Sequence, residues 1–513
     1  MNSIRNVIII GAGISGLSAG IYAEQHGMHA IILEKNPSVG GLCTGWYRGG
    51  EYLDGCIHWV TGTKEGTDLN KMWKNVHAFK QEDIIDLDSW GTFEYEGQKV
   101  PFLFDLKEAE RRWLEVSPID KKHIHHFFKM VSDFTKVDTP VIVPVNKLPL
   151  KSLLKMGIDV LKVWPSYLGS MNISCEDYAK RFKSKALRHA LVSVQPGEGN
   201  LFSMVYSYST IAMRNGGYPM GGAKRMVESM KSHFLDLGGT LRVNAPVRDV
   251  IIENKEVKGV ILESGEKIYG DYLVPACDTN HFLTHILKNK YPKPDFDKRI
   301  FNSKKYPTPS CCVFYLGIDG DFDLGGDYIY SIQCEPLKVG TLEVKDFIIR
   351  NYDYDTLMKH ENKTVLSILI DQYKDDYYYW SNLYRSDIKD YKTKKKELGE
   401  EVLKRLIARY PDLQGRVKVL DVVSPKTYHN YTNVTRGSFM SFLFTKKNNM
   451  YWNNGHIKGL HNVYLASQWV ASPGGLPFAL MSGAYAIQRI CLKEKIKLTL
   501  VFPSVKSMVE DNH

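Results

Sequence analysis

Short runs of β-branched residues separated by a glycine-rich turn open the chain. Residues 7–10 are wholly apolar, as expected of a strand that is buried on both faces of a parallel sheet. Residues 17–26 are typical of a helix that ends near Gly27. A second apolar run, residues 30–33, ends at Glu34. The pattern therefore predicts a βαβ unit at the start of the chain.

Strand signals return in the middle and near the end of the sequence. Residues 240–278 contain several β-like runs separated by polar turns. Residues 462–466 form another short apolar run, which precedes a glycine–proline turn and a predicted helix from about Phe478. Between residues 380 and 410 the pattern becomes helical and charged. The order of these signals predicts an α/β nucleotide-binding domain built from discontinuous segments, with an α+β substrate domain inserted between them.

A chain of 513 residues is long enough for two or three domains. We expect the nucleotide-binding domain to comprise residues 1–100, 211–285 and 441–513. Residues 101–210 are predicted to form an inserted lid or substrate region, and residues 286–440 a substrate domain with a β-sheet.

Composition narrows the class of protein only modestly. The chain is 43% hydrophobic and 24% charged, and its net charge of +10 favours anionic surfaces. No nucleic-acid recognition motif or dense basic tract is found, so we expect no nucleic-acid partner. Eight cysteines are scattered without CxxC or metal-ligand spacing, which predicts neither a metal site nor a disulfide relay. The N-terminus lacks a signal-peptide pattern, and no stretch is apolar for long enough to span a bilayer, so a cytoplasmic protein is expected.

A glycine motif connects the first strand to the first helix. Gly11, Gly13 and Gly16 have GxGxxG spacing, which directs backbone amides and a helix N-terminus at a pyrophosphate. Glu34 comes at the end of the second strand, where an acid accepts the ribose hydroxyls and disfavours a 2′-phosphate. We expect the neighbouring residues Ile14, Ser15 and Lys35 to contact the cofactor as well. A glycine-rich turn in an unrelated α/β domain is the alternative.

The loop after the second strand favours FAD over NAD. Gly40, Gly41 and Leu42 form a paired-glycine loop at the point where a plain dehydrogenase would begin its next crossover helix. The predicted cofactor is therefore FAD, and these three residues are predicted to contact it.

Five segments together resemble the amine oxidase and phytoene desaturase superfamily of flavoproteins, most closely its phytoene desaturase and retinol saturase-like branch. They are residues 11–41, 52–55 (YLDG), 217–222 (GYPMGG), 238–250 and 462–483. The resemblance implies an FAD-binding, Rossmann-like domain of the glutathione reductase type. It places Val247 beside the adenine, and Gly474, Gly475, Leu476 and Pro477 beside the flavin. Two positions depart from the family pattern: Leu42 replaces a usual arginine, and Gln468 with Trp469 replaces an acid near the ribityl chain.

The resemblance also implies an activity. An enzyme of this branch exchanges hydride between flavin N5 and a C–C or C=C bond of a lipophilic substrate, such as an isoprenoid polyene or an unsaturated acyl chain. No second strand–GxGxxG–helix unit for NAD(P)H is found, which leaves oxygen, a quinone or a transient reductant as the electron partner. A flavin amine oxidase, a flavin-dependent double-bond isomerase and a non-catalytic prenyl-binding chaperone of the same fold remain alternatives.

Few protein groups are needed for such chemistry, and one that moves a proton is enough. His58, just after the YLDG segment, is the preferred candidate, with a purely structural histidine as the alternative. Arg214 is the second candidate, for holding a carboxylate or the pyrophosphate, with a surface arginine as the alternative. Tyr428 and His429 are weaker options.

A basic, apolar segment suggests a membrane contact. Residues 140–171 include a predicted helix over 149–163, on which Lys151, Lys155 and Lys162 form one stripe beside leucines. Such a helix can lie at a bilayer interface with its lysines reaching lipid phosphates, which would place the protein on the inner face of the membrane. A core helix of the inserted domain is the alternative.

Overall fold

The computed structural model describes residues 4–137, 150–194, 199–325, 328–358, 362–448 and 451–498. Side chains of residues 150–156, 159 and 160 are outside the description. The α-helices are α1 Ile14–Gln25, α2 Asp68–Asn75, α3 Leu106–Val116, α4 Lys121–Phe134, α5 Leu150–Met171, α6 Cys175–Ala179, α7 Lys185–Ser193, α8 Leu201–Ala212, α9 Gly222–Asp236, α10 Thr279–His281, α11 Pro294–Phe301, α12 Lys374–Ser386, α13 Ile388–Arg409, α14 Pro425–Thr432 and α15 Leu476–Glu494.

The strands form a parallel sheet, a small antiparallel sheet, a large mixed sheet and two ribbons. In chain order they are β1 Asn6–Ile10, β2 His29–Leu33, β3 Gly45–Arg48, β4 Glu51–Asp54, β5 Ile84–Ile85, β6 Ser89–Tyr95, β7 Gln98–Leu103, β8 Tyr218–Pro219, β9 Thr240–Arg242, β10 Val247–Glu253, β11 Glu256–Leu262, β12 Lys267–Tyr269, β13 Tyr272–Pro275, β14 Ser310–Asp319, β15 Ile329–Val339, β16 Leu342–Asn351, β17 Lys363–Gln372 and β18 Val417–Val423.

The parallel sheet carries the predicted βαβ unit and has the strand order β13-β1-β2-β9. Its strands come from distant parts of the sequence, as the discontinuous pattern predicts. Helix α1 packs on this sheet and against the C-terminal helix α15, and a Cβ atom at Gly483 of α15 would lie 2.4 Å from the Ser15 carbonyl oxygen. The close approach of the two helices therefore requires a glycine there.

The C-terminal apolar run differs from its prediction. Residues 462–466 form no regular strand, although Leu273 N donates to Asn462 O and Tyr464 N donates to Leu273 O, both at 3.0 Å. These residues extend the parallel sheet beside β13 by an isolated bridge. The segment is too short, and too soon interrupted by the turn at Gln468, to complete a ladder.

The large sheet has the order β18-β14-β17-β16-β15-β6-β7 and corrects one predicted boundary. Strands β6 and β7, at residues 89–103, join this sheet through a parallel pairing of β6 with β15. The predicted domain boundary at residue 100 therefore falls inside a strand of the substrate-side sheet. Local periodicity could not reveal this, because the partner strand lies more than two hundred residues later in the chain.

The helices α3 to α8 pack together beside the large sheet around a core rich in aromatic residues. Helix α5 is longer than the helix predicted over residues 149–163 and continues past Pro165 to Met171. Residues 140–149 of the predicted membrane segment lie outside the described residues. No helix in the described ranges is both long and apolar enough to cross a lipid bilayer.

Candidate functional site

One cavity of about 900 Å³ extends from the turn after β1 to the large sheet. It is lined by nearly all the residues predicted to hold the cofactor: Gly11, Gly13, Ile14, Ser15, Glu34, Lys35, Gly40, Gly41, Leu42, Val247, Gly474, Gly475, Leu476 and Pro477. The lining also includes apolar and aromatic side chains, among them Trp59, Phe202, Tyr206, Leu369, Phe439 and Phe444. The structure therefore brings the predicted cofactor residues together in one cavity with a set of apolar and aromatic side chains.

The glycine motif has the geometry that its spacing predicts. Gly11 adopts a φ of 102°, which only glycine reaches readily. A Cβ atom at Gly16 would lie 1.9 Å from the Gly11 carbonyl oxygen, so the third glycine is required where α1 crosses the turn. Gly16 itself does not line the cavity. The amides of the first turn of α1 have no acceptor within the helix and are available to an anion.

Glu34 is held in place by the backbone of the turn it faces. Its side chain is 5% exposed, Oε2 accepts from Ala12 N at 2.8 Å, and Oε1 accepts from Asn36 N at 2.9 Å. A carboxylate fixed in this way at the cavity wall is suited to accept hydrogen bonds from ribose hydroxyls. Lys35 lies beside it, and burial lowers the pKa of its ammonium group.

The paired-glycine loop crosses the first glycine turn. Gly40 N donates to Ala12 O at 2.8 Å, and Gly40 adopts a φ of 115°. A Cβ atom at Gly40 would lie 2.3 Å from the Cys43 carbonyl oxygen, so this loop can be this tight only with glycine. Leu42, the position of the usual arginine, packs against the core beside the parallel sheet.

A buried carboxylate joins the YLDG segment to the start of α9. Asp54 Oδ1 accepts from Cys56 N and Ile57 N, and Oδ2 accepts from Ala223 N at 2.7 Å. A Cβ atom at Gly222 would lie 2.0 Å from Asp54 Oδ2, which explains the second glycine of the pair in the GYPMGG segment. Burial raises the pKa of Asp54 to about 6, against the opposing effect of the three amide donors. Both segments can be identified from the sequence, but the contact between them cannot.

The C-terminal glycine turn is stabilised by the residue that departs from the family pattern. Gln468 Oε1 accepts from Gly475 N at 3.0 Å, and both residues line the cavity. Gly474 and Gly475 have φ values of 81° and 90°, and α15 begins at the next residue. Gln468 therefore shapes the turn beneath the cavity, where an acid is usual.

The candidates for proton transfer differ in their position relative to the cavity. His58 lines the cavity, and burial, together with the charge of Arg350, lowers the pKa of its imidazole well below the ordinary value. His58 is thus a neutral imidazole near pH 7. Tyr428 also lines the cavity, and His429 packs against Tyr377 outside it.

The expectation that Arg214 holds a pyrophosphate or a ligand carboxylate is not supported by its position. Arg214 is exposed, donates to the Leu87 carbonyl oxygen and pairs with Asp88 at 3.0 Å, and does not line the cavity. Its guanidinium also lies over the Phe104 ring. Arg214 is therefore a surface arginine, which was the alternative. The prediction failed because nearness in sequence to the GYPMGG segment does not fix the direction of a side chain.

The glycine cradle, the fixed carboxylate and the free amides of α1 together fit an adenine dinucleotide. Comparison with known proteins agrees. A 4,4′-diapophytoene desaturase (4,4′-diapolycopene-forming) from Methylomonas sp. is 22% identical over 97% of each chain. An all-trans-retinol 13,14-reductase from Danio rerio is 20% identical over 84% of this chain and 76% of its own. A solved structure of a putrescine oxidase mutant superposes with a TM-score of 0.59 at 13% identity, over 95% of this chain and 99% of the other, which shows a shared fold.

The family model of flavin containing amine oxidoreductases matches residues 14–491. This match and the relatives confirm the resemblance and the fold class predicted from the sequence, and they confirm FAD as the cofactor and an oxidoreductase as the type of enzyme. The chain belongs to the family of flavin containing amine oxidoreductases.

Proposed function

We propose that the protein exchanges hydride with a C–C or C=C bond of a lipophilic polyene, isoprenoid or unsaturated acyl substrate. The observation that carries the proposal is one cavity whose lining combines the predicted cofactor residues with apolar and aromatic side chains from α8 and the large sheet. By name, one relative is a desaturase of diapophytoene and the other a reductase of retinol. When FAD is bound, its flavin supplies the hydride chemistry at N5.

The residues of the chain would bind the substrate and exclude water. The aromatic side chains of Trp59, Phe202 and Tyr206 line the cavity and would give a planar polyene a large contact area. His58 lines the same cavity, and its neutral imidazole can accept a proton from substrate carbon. We assign this role to His58.

Anaerobic mixing tests the proposed activity. Oxidised, FAD-loaded protein is mixed with a panel of polyenes, unsaturated fatty acids and amines, and the visible band of the flavin is followed. Bleaching by a polyene or an unsaturated acid is expected, and photoreduced protein should be reoxidised by the same substrate class if the reaction runs as a reduction. Bleaching by amines alone would contradict the proposal, and product formation without net oxidation would indicate an isomerase.

The partner that accepts or supplies electrons is proposed to be a small molecule that visits the same cavity. Within the described ranges, the GxGxxG unit at β1 and α1 is the only dinucleotide motif that stands between a strand and a helix. A quinone, oxygen or a diffusible reductant therefore fits better than a second bound nucleotide.

We further propose that helix α5 contacts a membrane from which the substrate enters. The apolar side chains of Ile158, Leu161, Trp164 and Leu168 are 56%, 68%, 43% and 44% exposed. They project from one side of the helix, whereas Val163, Ser166 and Ser170 are buried on the other. Lys162 is exposed beside the apolar stripe, while the side chains of Lys151 and Lys155 lie outside the described residues. An exposed stripe of this kind with flanking lysine suits an anionic bilayer surface.

Liposome flotation tests the contact. Wild-type protein is expected to float with vesicles of phosphatidylcholine and phosphatidylglycerol in equal parts. Replacing Leu161 and Leu168 by Ser should abolish flotation, and replacing the three lysines at 151, 155 and 162 by Glu should weaken it most at low salt. Replacing the exposed Leu357, far from α5 in the sequence, by Ser is the matched control. Equal flotation of all variants would end the membrane proposal.

A further inference from the structure

Two cysteines face each other at the open end of the β3–β4 hairpin. Gly45 pairs with Asp54 there, and a backbone hydrogen bond of 2.9 Å continues this register by one residue on each strand. One further step places Cys43 opposite Cys56. Residues in opposite positions have Cα atoms about 4.5–5.5 Å apart, and disulfides join residues whose Cα atoms are about 4.4–6.8 Å apart. Local spacing does not reveal the pair, because the hairpin turn separates the two cysteines.

The two thiol groups are in hydrogen-bond contact, and both cysteines line the cofactor cavity. Cys43 is buried, whereas Cys56 is half-buried. The hydrogen bond to Cys56, together with burial, raises the pKa of the Cys43 thiol well above its ordinary value. Cys43 therefore stays protonated near pH 7 and is a poor nucleophile. Cys56 is the thiol that a small molecule in the cavity reaches more easily.

Two other cysteines line the cavity, but their surroundings differ. Burial raises the pKa of Cys277 and of Cys311 to about 12. The Cys311 thiol donates to the Tyr428 hydroxyl oxygen at 3.8 Å. The hairpin thus supplies the pair in which one thiol contacts another.

We propose that Cys43 and Cys56 form a reversible dithiol–disulfide site in the wall of the cofactor cavity, oxidised by hydrogen peroxide. Peroxide transfers one oxygen atom to the Cys56 sulfur, which becomes a sulfenic acid, and one water is released. The Cys43 sulfur then bonds to the Cys56 sulfur, and the sulfenic hydroxyl leaves with the Cys43 proton as a second water. Each sulfur loses one electron, and the peroxide takes up both.

The position of the pair links it to the flavin rather than to the substrate. Oxygen is among the electron acceptors considered for this protein, and its two-electron reduction produces hydrogen peroxide inside the same cavity. The disulfide would join the paired-glycine loop to the YLDG segment, and both segments contribute to the cavity wall. Oxidation would therefore tie together two parts of the cofactor site.

Peptide mapping tests the proposed disulfide. Trypsin cleavage yields residues 36–48 and 49–64, and each of these peptides contains one of the two cysteines. FAD-loaded protein is treated with hydrogen peroxide, blocked with N-ethylmaleimide and digested without reductant. We expect the loss of two of the eight free thiols and the appearance of these two peptides as a linked pair. Dithiothreitol should reverse both changes.

Single variants separate the roles of the two thiols. Cys43→Ser leaves the Cys56 sulfenic acid without a partner, so dimedone should trap it in residues 49–64. Cys56→Ser should give neither the linked peptides nor a dimedone adduct at Cys43. Cys334→Ser is the matched control, because Cys334 is half-buried on β15 and does not line the cavity. It should leave the linkage intact.

The wild-type protein alone can overturn the proposal, so the test does not depend on whether a variant folds. Eight unchanged thiols after peroxide treatment would do so. A linkage of Cys56 to Cys311, or oxidation of Cys56 to a sulfinic acid without the linked peptides, would also contradict it. Because thiol counts and peptide masses need no substrate, failure of the dithiol site and failure of the proposed function are distinguishable.

Discussion

Two single-methyl substitutions in the first glycine motif should separate cofactor binding from folding. In Gly13→Ala the added Cβ would lie 3.7 Å from Gly40 O and 4.0 Å from Gly41 Cα, which are ordinary contacts. The backbone of Gly13, with φ −75° and ψ −178°, is open to alanine. The apo-protein should therefore keep its thermal midpoint, or gain slightly because alanine restricts the unfolded chain by about 0.4–1 kcal/mol.

The same methyl should weaken the binding of FAD, because Gly13 lines the cavity at the place where the pyrophosphate must come close to the backbone. Overpacking of one methyl group costs about 1–3 kcal/mol, which corresponds to about a 5- to 150-fold loss of affinity. In Gly16→Ala the Cβ would lie 1.9 Å from Gly11 O, so the turn and α1 must separate by about 1 Å to reach even a 3.0 Å contact (3.0 − 1.9). That variant should lose both stability and FAD.

Differential scanning fluorimetry of the apo-proteins and titration with FAD, followed by quenching of flavin fluorescence, measure the two effects. Gly157→Ala, where an added Cβ meets nothing within 4 Å, is the matched control and should resemble the wild-type protein. Unchanged FAD affinity in Gly13→Ala, or wild-type stability in Gly16→Ala, would refute the assignment of these glycines.

Three more predictions concern buried carboxylates. Glu34→Gln replaces a charged acceptor by a neutral one and should weaken FAD binding about tenfold in calorimetry. The control Glu65→Gln, at an exposed position, should leave the affinity unchanged. Equal FAD affinities of Glu34→Gln and the wild-type protein would contradict the ribose contact. Asp54→Asn leaves one of three amide donors without an acceptor and should lower the free energy of unfolding by about 1–3 kcal/mol, compared with no loss for the exposed Asp88→Asn. Because the folded-state pKa of Asp54 is raised from 3.8 to about 6, the folded protein holds a proton that the unfolded chain releases between these pH values. The free energy of unfolding should therefore fall as pH rises through that window, by up to about 3 kcal/mol from this group. Asp54→Asn should flatten the slope of thermal midpoint against pH. An unchanged slope would count against this ionisation.

The parts of the protein that sequence could predict are those whose contacts are local. The βαβ unit, Glu34 and the glycine turn lie within about thirty residues of one another, so strand pattern and spacing suffice to place them. The resemblance identifies the paired glycines of the GYPMGG segment, but the hydrogen bond from the next residue, Ala223, to Asp54 joins residues 169 positions apart. No periodicity carries that information.

Other features depend on which strands become neighbours. Strand β6, for example, joins the large sheet through its parallel pairing with β15. Arg214 shows the opposite error: it is close to a cofactor motif in sequence, yet its side chain turns outward to Asp88. Side-chain direction and strand order are tertiary properties, which one sequence does not specify by local pattern.

Cofactor content tests the central claim most directly. The purified protein, or its apo-form mixed with FAD, should hold one FAD per chain by its visible flavin band, and the same band should be missing from Gly16→Ala. A colourless wild-type protein that takes up no added FAD, while remaining folded by circular dichroism, would contradict the account and favour a binding protein that has kept the fold without the flavin.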